Sequence, residues 1–162
     1  MRKTIALLAG VAILAAANWS IVARERHIAA GRMVLLELAP IDPRSLMQGD
    51  YMALRFRAAD ELQRAGKASE DGRMVVRLDA RGVGQYSRRD DGSRLAEDEV
   101  ALRYRVRNGQ VKFATNAFFF QEGTAKLYEA ARFGEFRVAA SGALLLTGLR
   151  GKDLERLGPA PR

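Results

Sequence analysis

The stretch EVALRYRVRNGQVKFAT, residues 99–115, leaves the chain little choice of local fold. Apolar and charged residues alternate on both sides of Asn108-Gly109. That pair is favoured where a two-residue type I′ loop needs positive φ at both central positions. With the loop in place, Arg107 faces Gln110, Val106 faces Val111 and Arg105 faces Lys112; Tyr104 then faces Phe113, and Leu102 faces Thr115. One hairpin face becomes Leu102, Tyr104, Val106, Val111 and Phe113, a core face, and the other carries Arg103, Arg105, Arg107 and Lys112.

The rest of the chain continues in short β runs. Met33 to Ala39 reads as a Leu-rich strand and Tyr51 to Arg57 as a second, with a short helix over Ala58 to Ala65 stopped by Gly66. Met74 to Asp79 is a third strand. Gly82 to Asp98, rich in Gly, Ser, Arg and Asp, reads as an exposed loop with one weak strand near Gln85 to Arg88. Ala117 to Gln121 reads as a buried strand. Ala125 to Phe133 reads as a helix closed by Gly134, with Leu127, Ala130 and Ala131 on one face. Glu135 to Ala139 and Ala143 to Leu149 are the last strands, joined around Ser141-Gly142. The expected fold is mainly β (α+β): one small antiparallel β domain built from hairpins, with one packed C-terminal helix.

An N-terminal transmembrane helix precedes it. Arg2 and Lys3 lead into Thr4 to Ala17, which holds no charge, and low polarity extends to Ala23 before Arg24. About 20 helical residues cover a hydrocarbon core of about 30 Å, and Trp19 stands where an interfacial indole belongs. The rival reading is a cleaved signal peptide, with Ala15-Ala16-Ala17 fitting the small-x-small pattern. The expected organisation is an anchor or signal peptide over 1–23, a juxtamembrane linker over 24–32, the β domain over 33–157 and a tail over 158–162. An inner-membrane protein with the domain facing the periplasm is the favoured orientation.

Composition narrows the chemistry. The formal net charge is +8, and lysine appears only at positions 3, 67, 112, 126 and 152, so arginine dominates. Such a balance favours anionic partners. With no cysteine and His27 as the single histidine, thiolate chemistry and Cys- or His-based metal sites are excluded. No cofactor is expected.

Asp42-Pro43-Arg44-Ser45 fits a type I turn, and Gly49-Asp50 permits a bend or bulge into the following strand. Along that strand Met52, Leu54 and Phe56 share one face, and Tyr51, Ala53, Arg55 and Arg57 the other. Leu54 and Phe56 are core residues on this reading, while Asp42, Arg44, Asp50 and Tyr51 form a polar corner that salt bridges alone would explain. Gly49-Asp50-Tyr51-x-x-Leu54-x-Phe56, preceded by Pro40-x-Asp42-Pro43-Arg44, resembles the GDYXXLXY proteins, as does FFFQEGTAKLYEAARFGEFRV at 118–138. The family pattern ends in Tyr where this chain has Phe56, so a phenol there is not essential. The resemblance implies a membrane-anchored protein of unknown activity, encoded near multi-pass membrane proteins. It brings no catalytic residues. A likeness to signal peptidases is weaker: aligning their Gly-Asp with Gly49-Asp50 puts Ile41 at the nucleophile and leaves Ser45 offset by four.

Two further features bear on function. The second polar concentration holds Glu122, Tyr128, Glu129, Arg132, Glu135 and Arg137, which could line a cleft; helix termini explain Glu122 and Arg132 equally well. On the basic hairpin face, Arg105 opposite Lys112 is a like-charge pair that calls for neutralisation by Glu97, Asp98 or Glu99, or for an anion such as a lipid headgroup. Nucleic acid is not expected, because the aromatics lie on the opposite, buried face. The functional expectation is a non-enzymatic accessory or binding domain with a membrane-protein partner, through Asp42, Arg44, Gly49, Asp50 and Tyr51 with Glu122, Tyr128, Arg132 and Arg137. The alternatives are a hydrolase using Ser45 or Asp50 and an anionic-lipid-binding domain.

Overall fold

The computed structural model describes residues 2–39, 47–48, 51–66, 68, 70–115 and 117–159. Helix α1 (Arg2–Ala30) is 29 residues long, about 44 Å at 1.5 Å per residue. Its segment Leu8–Ala30 is long and apolar enough to cross a membrane, and its apolar window carries no buried residue. The stretch 24–30, expected within a linker, is the C-terminal part of this helix. One residue, Gly31, separates α1 from strand β1 (Arg32–Glu37).

The remaining elements are β2 (Met47–Gln48), β3 (Tyr51–Ala53), helix α2 (Arg57–Arg64), β4 (Gly72–Leu78), β5 (Val83–Arg89), β6 (Glu99–Arg107) and β7 (Gln110–Lys112). They continue with β8 (Ala117–Phe119), a 3-10 turn (Ala125–Tyr128), β9 (Phe133–Val138), β10 (Leu144–Arg150) and β11 (Arg156–Leu157). Among the described residues, eight strands form one sheet in the order β11-β10-β9-β1-β5-β4-β6-β7, and β2-β3-β8 form a second. The protein is therefore mainly β, as its alternation requires. The pairing is antiparallel with one exception: β5 lies parallel to β1, Leu35 beside Val83. Four other elements separate β1 from β5 in the chain, which leaves room for the crossover a parallel pair demands.

The sheet curls strongly. The Arg103 amide donates to the Gly142 carbonyl at 2.8 Å, although β9 and β6 are separated by β1, β5 and β4. Strands stand about 4.8 Å apart in a flat sheet, so this bond requires the β9–β10 turn to swing round against β6. The concerted core gathers Val34, Leu36, Met74, Val76, Leu102 and Phe136 with Leu62 of α2. The motif residues Met52, Leu54 and Phe56 join it. Phe56 is 2% exposed and meets the Phe113 and Phe136 rings at 5.6 and 5.3 Å.

The β6–β7 hairpin has the register read from its turn: Arg105 pairs with Lys112, Val106 with Val111 and Arg107 with Gln110. Asn108 and Gly109 have φ of 52° and 70°, as a type I′ turn demands. Helix α2 lies where expected, with Ala58, Ala59 and Leu62 buried.

Three segments differ from the sequence reading. The helix packed on the sheet is α2; the stretch expected as a C-terminal helix over 125–133 is a 3-10 turn of four residues, and Gly134 lies inside β9. The reason is backbone pairing. The Arg132 carbonyl accepts from the Leu38 amide and its amide donates to the Arg150 carbonyl, both at 2.8 Å. A longer helix would forfeit these strand bonds. Within Phe118-Phe119-Phe120, β8 is only partly buried, and alternation leaves Phe119 74% exposed. The weak strand expected near Gln85 to Arg88, inside a loop over 82–98, is β5, a full seven-residue strand inside the sheet. Its Gly84 admits close packing: a Cβ there would stand 3.2 to 3.3 Å from the side chains of Leu36, Val76 and Val34.

Candidate functional site

The motif strand divides its residues by face. Met52, Leu54 and Phe56 point into the core, and Leu38 bridges Phe56 while the Ala39 amide donates to the Arg55 carbonyl. On the other side Arg55 pairs with Asp60 at 2.9 Å and Arg57 with Glu37 at 3.0 Å. The Tyr51 ring stands 5.8 Å from that of Phe119 on β8. Asp42, Arg44, Gly49 and Asp50, together with Ser45, lie outside the described residues. What the structure shows of the motif is thus a core edge and, beside it, half-buried Tyr51 against exposed Phe119.

The second polar concentration is dispersed. Glu122, Glu129 and Arg132 are exposed, and Arg132 Nη1 donates to the Ala131 carbonyl. Tyr128 is buried between Phe118 and Phe120, with ring centroids 5.0 and 5.4 Å away. Tyr128 and Arg132, expected one helical turn apart on a shared face, have no helix to share.

Glu135 has its own cluster. It is 3% exposed and accepts from Thr147 Oγ1 at 2.8 Å and Arg150 Nε at 2.7 Å, with Arg156 Nη1 at 3.5 Å. Burial pushes its carboxyl up, but the hydrogen bonds from Thr147 and Arg150 and the charges of Arg156 and Arg150 outweigh it. The pKa ends below the ordinary glutamate value. This is a joint between β9, β10 and β11 in which two guanidinium groups share one carboxylate; Arg150 also donates to the Leu154 carbonyl and Arg156 Nη2 to the Thr147 carbonyl, while the buried Arg156 Nε has no partner among the described residues.

Arg137 belongs to another place, the exit of α1. His27 Nε2 lies 3.0 Å from the Arg137 carbonyl; a carbonyl only accepts, so this nitrogen carries the proton. Arg137 Nη1 returns a bond to the Gly31 carbonyl. Arg32 spans from β1 to the carbonyls of Glu97 and Glu99 at 2.7 and 3.3 Å. The helix end is therefore tied to the sheet by side chain and main chain together.

The basic hairpin face is compensated at one point only. Asp71 accepts from the Val106 amide at 2.8 Å and from Arg107 at 2.9 and 3.2 Å. The Val106 bond and then the Arg107 bond hold its carboxyl below the ordinary aspartate value. Of the acids expected to neutralise Arg105 and Lys112, Asp98 pairs with Arg77 at 3.2 Å and Glu99 with Arg88 at 3.1 Å, while Glu97, whose main-chain carbonyl holds Arg32, makes no ion pair with either cation. Among the described residues no three His, Asp or Glu side chains gather as a metal site. Sequence reasoning missed Arg73 and Asp90, an ion pair of 2.7 Å beside this face. No local signal marks that pair, because sheet pairing alone sets Arg73 opposite Arg103.

No curated protein and no solved structure matches the chain. A family model, by contrast, covers residues 13–149, from within α1 to the last residues of β10. It takes in the motif strand, α2, the basic hairpin and Glu135 with Thr147, so the chain belongs to the GDYXXLXY protein family.

Proposed function

We propose that the protein is a membrane-anchored accessory domain, held on the periplasmic face of the inner membrane, that binds a membrane-protein partner. The observation that carries this reading is the junction at Gly31. Leu8–Ala30 is 23 residues, about 35 Å of helix against a hydrocarbon core of about 30 Å. A single residue then leads into a central strand, and the bonds of His27 and Arg137 clamp the turn. A domain mounted this way stays at the bilayer surface, within reach of a neighbouring membrane protein. Arg2 and Lys3 ahead of the span support the orientation.

The contact surface of this reading is the edge carrying Tyr51 and Phe119, with exposed Leu127 following β8 in the chain. Large exposed aromatics of this kind are the usual anchors of protein interfaces. A photo-crosslinking residue placed at Phe119, in cells carrying the full chain, should capture one discrete membrane protein, and the same probe at exposed Ser93 should not. No adduct at Phe119, or identical adducts from both positions, overturns the reading. The chain has no cysteine, so Ser93→Cys labelled in intact cells by an impermeant thiol reagent reads the orientation directly.

A further inference from the structure

One face of three adjacent strands concentrates positive charge that the protein does not balance. Arg73 on β4 lies directly opposite Arg103 on β6, and Arg105, two residues along β6 on the same face, lies opposite Lys112 on β7. Like charges directly opposite each other in a sheet repel. Two such pairs in succession work against the sheet that holds them. Asp90 occupies Arg73, and Asp71 occupies Arg107. Arg103, Arg105 and Lys112 have no ion pair among the described residues.

These cations do not stand on a flat surface. Arg73, Arg103 and Arg105 line a groove of about 660 Å³ whose other wall includes Ser141 and Ala143 of the β9–β10 turn. The Arg103–Gly142 bond brings that wall in.

The position of the groove selects the source of its ligand. Arg32, the first residue after Gly31, pairs with Val138, and the β9–β10 turn begins at the next residue. The groove wall therefore starts beside the point where α1 hands over to the sheet. We propose that this groove binds a phosphate group, that of an anionic phospholipid headgroup, with Arg103 and Arg105 contacting the phosphate oxygens. Guanidinium groups suit this task because their planar fork matches two phosphate oxygens. The lipid as source rests on the anchoring reading above, whereas the phosphate chemistry does not.

The full chain in a neutral detergent is the material for the test. Native mass spectrometry reads retention of phosphatidylglycerol against phosphatidylcholine, and calorimetric titration with glycerol phosphate reads the soluble arm. Expected is selective retention of phosphatidylglycerol, reduced at least fivefold in Arg103→Gln/Arg105→Gln and unchanged in Arg24→Gln/Arg26→Gln. Both positions of the first variant are exposed, so its thermal midpoint should match the wild type. Binding of glycerol phosphate without lipid selectivity overturns the lipid and keeps the phosphate. Equal retention by the Arg103/Arg105 variant, or no binding in either arm, overturns the whole proposal. Failure of anchoring would appear separately, as a chain that leaves the membrane fraction yet still binds glycerol phosphate.

Discussion

Arginine does opposite things at two places in the sheet. At the β9–β10–β11 joint, Arg150 and Arg156 converge on one buried carboxylate, Glu135, and their remaining bonds go to the Leu154 and Thr147 carbonyls. On β4 and β6, Arg73 and Arg103 face each other, with Asp90 holding only the first. In the joint both cations reach the one buried carboxylate and the site is closed; in the groove Arg103 and Arg105 reach none among the described residues, and the site is open. The difference separates charges that hold the fold from charges left available to something outside it.

The largest expected effect comes from removing the carboxylate of the closed joint. Glu135→Gln leaves Arg150 and Arg156 uncompensated. Breaking a fully buried pair costs about 3–5 kcal/mol, and these arginines are 24% and 29% exposed. A loss of about 2–3 kcal/mol is expected in urea unfolding. A loss below about 0.5 kcal/mol, the scale of surface pairs, would erase the distinction between the two regions. Acid gives the same contrast without mutation. The Glu135 pKa is lowered in the folded protein, so its stabilisation is complete above the ordinary glutamate pKa of about 4.3. It is lost as pH falls through the depressed folded value. The acid limb of stability against pH should therefore be shallower in Glu135→Gln than in the wild type, and parallel limbs would count against the joint.

The groove should respond with the opposite sign. Arg103→Gln/Arg105→Gln relieves repulsion, and without ligand it should leave stability unchanged or raise it by a few tenths of a kcal/mol. A clear loss of stability would mean that these side chains serve the fold after all. Smallest is Arg107→Gln, which removes the exposed pair with Asp71 and should lower the urea midpoint only slightly, and less still in high salt.

How far these regions could be read in advance follows from the range of the signals. The β6–β7 hairpin was legible to its register because the turn residues and the alternation lie within one short stretch. Leu54 and Phe56 were legible as core by the same period of two. β5 was legible only as a weak strand near Gln85 to Arg88, since a central strand containing Gly84 and several arginines has the composition of a loop, and its neighbours Leu36 and Val76 set its place in the sheet. The expected helix over 125–133 rested on the spacing of Leu127, Ala130 and Ala131. The competing demand, the bonds of Arg132 to Leu38 and Arg150, comes from strands remote in sequence. The groove was half legible: Arg105 opposite Lys112 followed from the turn, whereas Arg73 and Ser141 reach it only through sheet pairing and curl.

The place of β1 carries a consequence for how the chain becomes a protein. It follows α1 directly, yet its antiparallel partner β9 lies about a hundred residues later, Leu35 against Glu135, and its parallel partner β5 also comes late. During synthesis β1 stands with both edges unpaired until β5 is made, and with one edge unpaired until β9 follows. Contacts this distant in sequence slow folding, into the range of about milliseconds to seconds for sheet-rich domains. The waiting strand is hydrophobic, Met33-Val34-Leu35-Leu36, and such open edges invite pairing with other chains. Delivery of the β9–β10 hairpin is thus the step that ends this exposure, and truncations before Val138 should aggregate rather than fold.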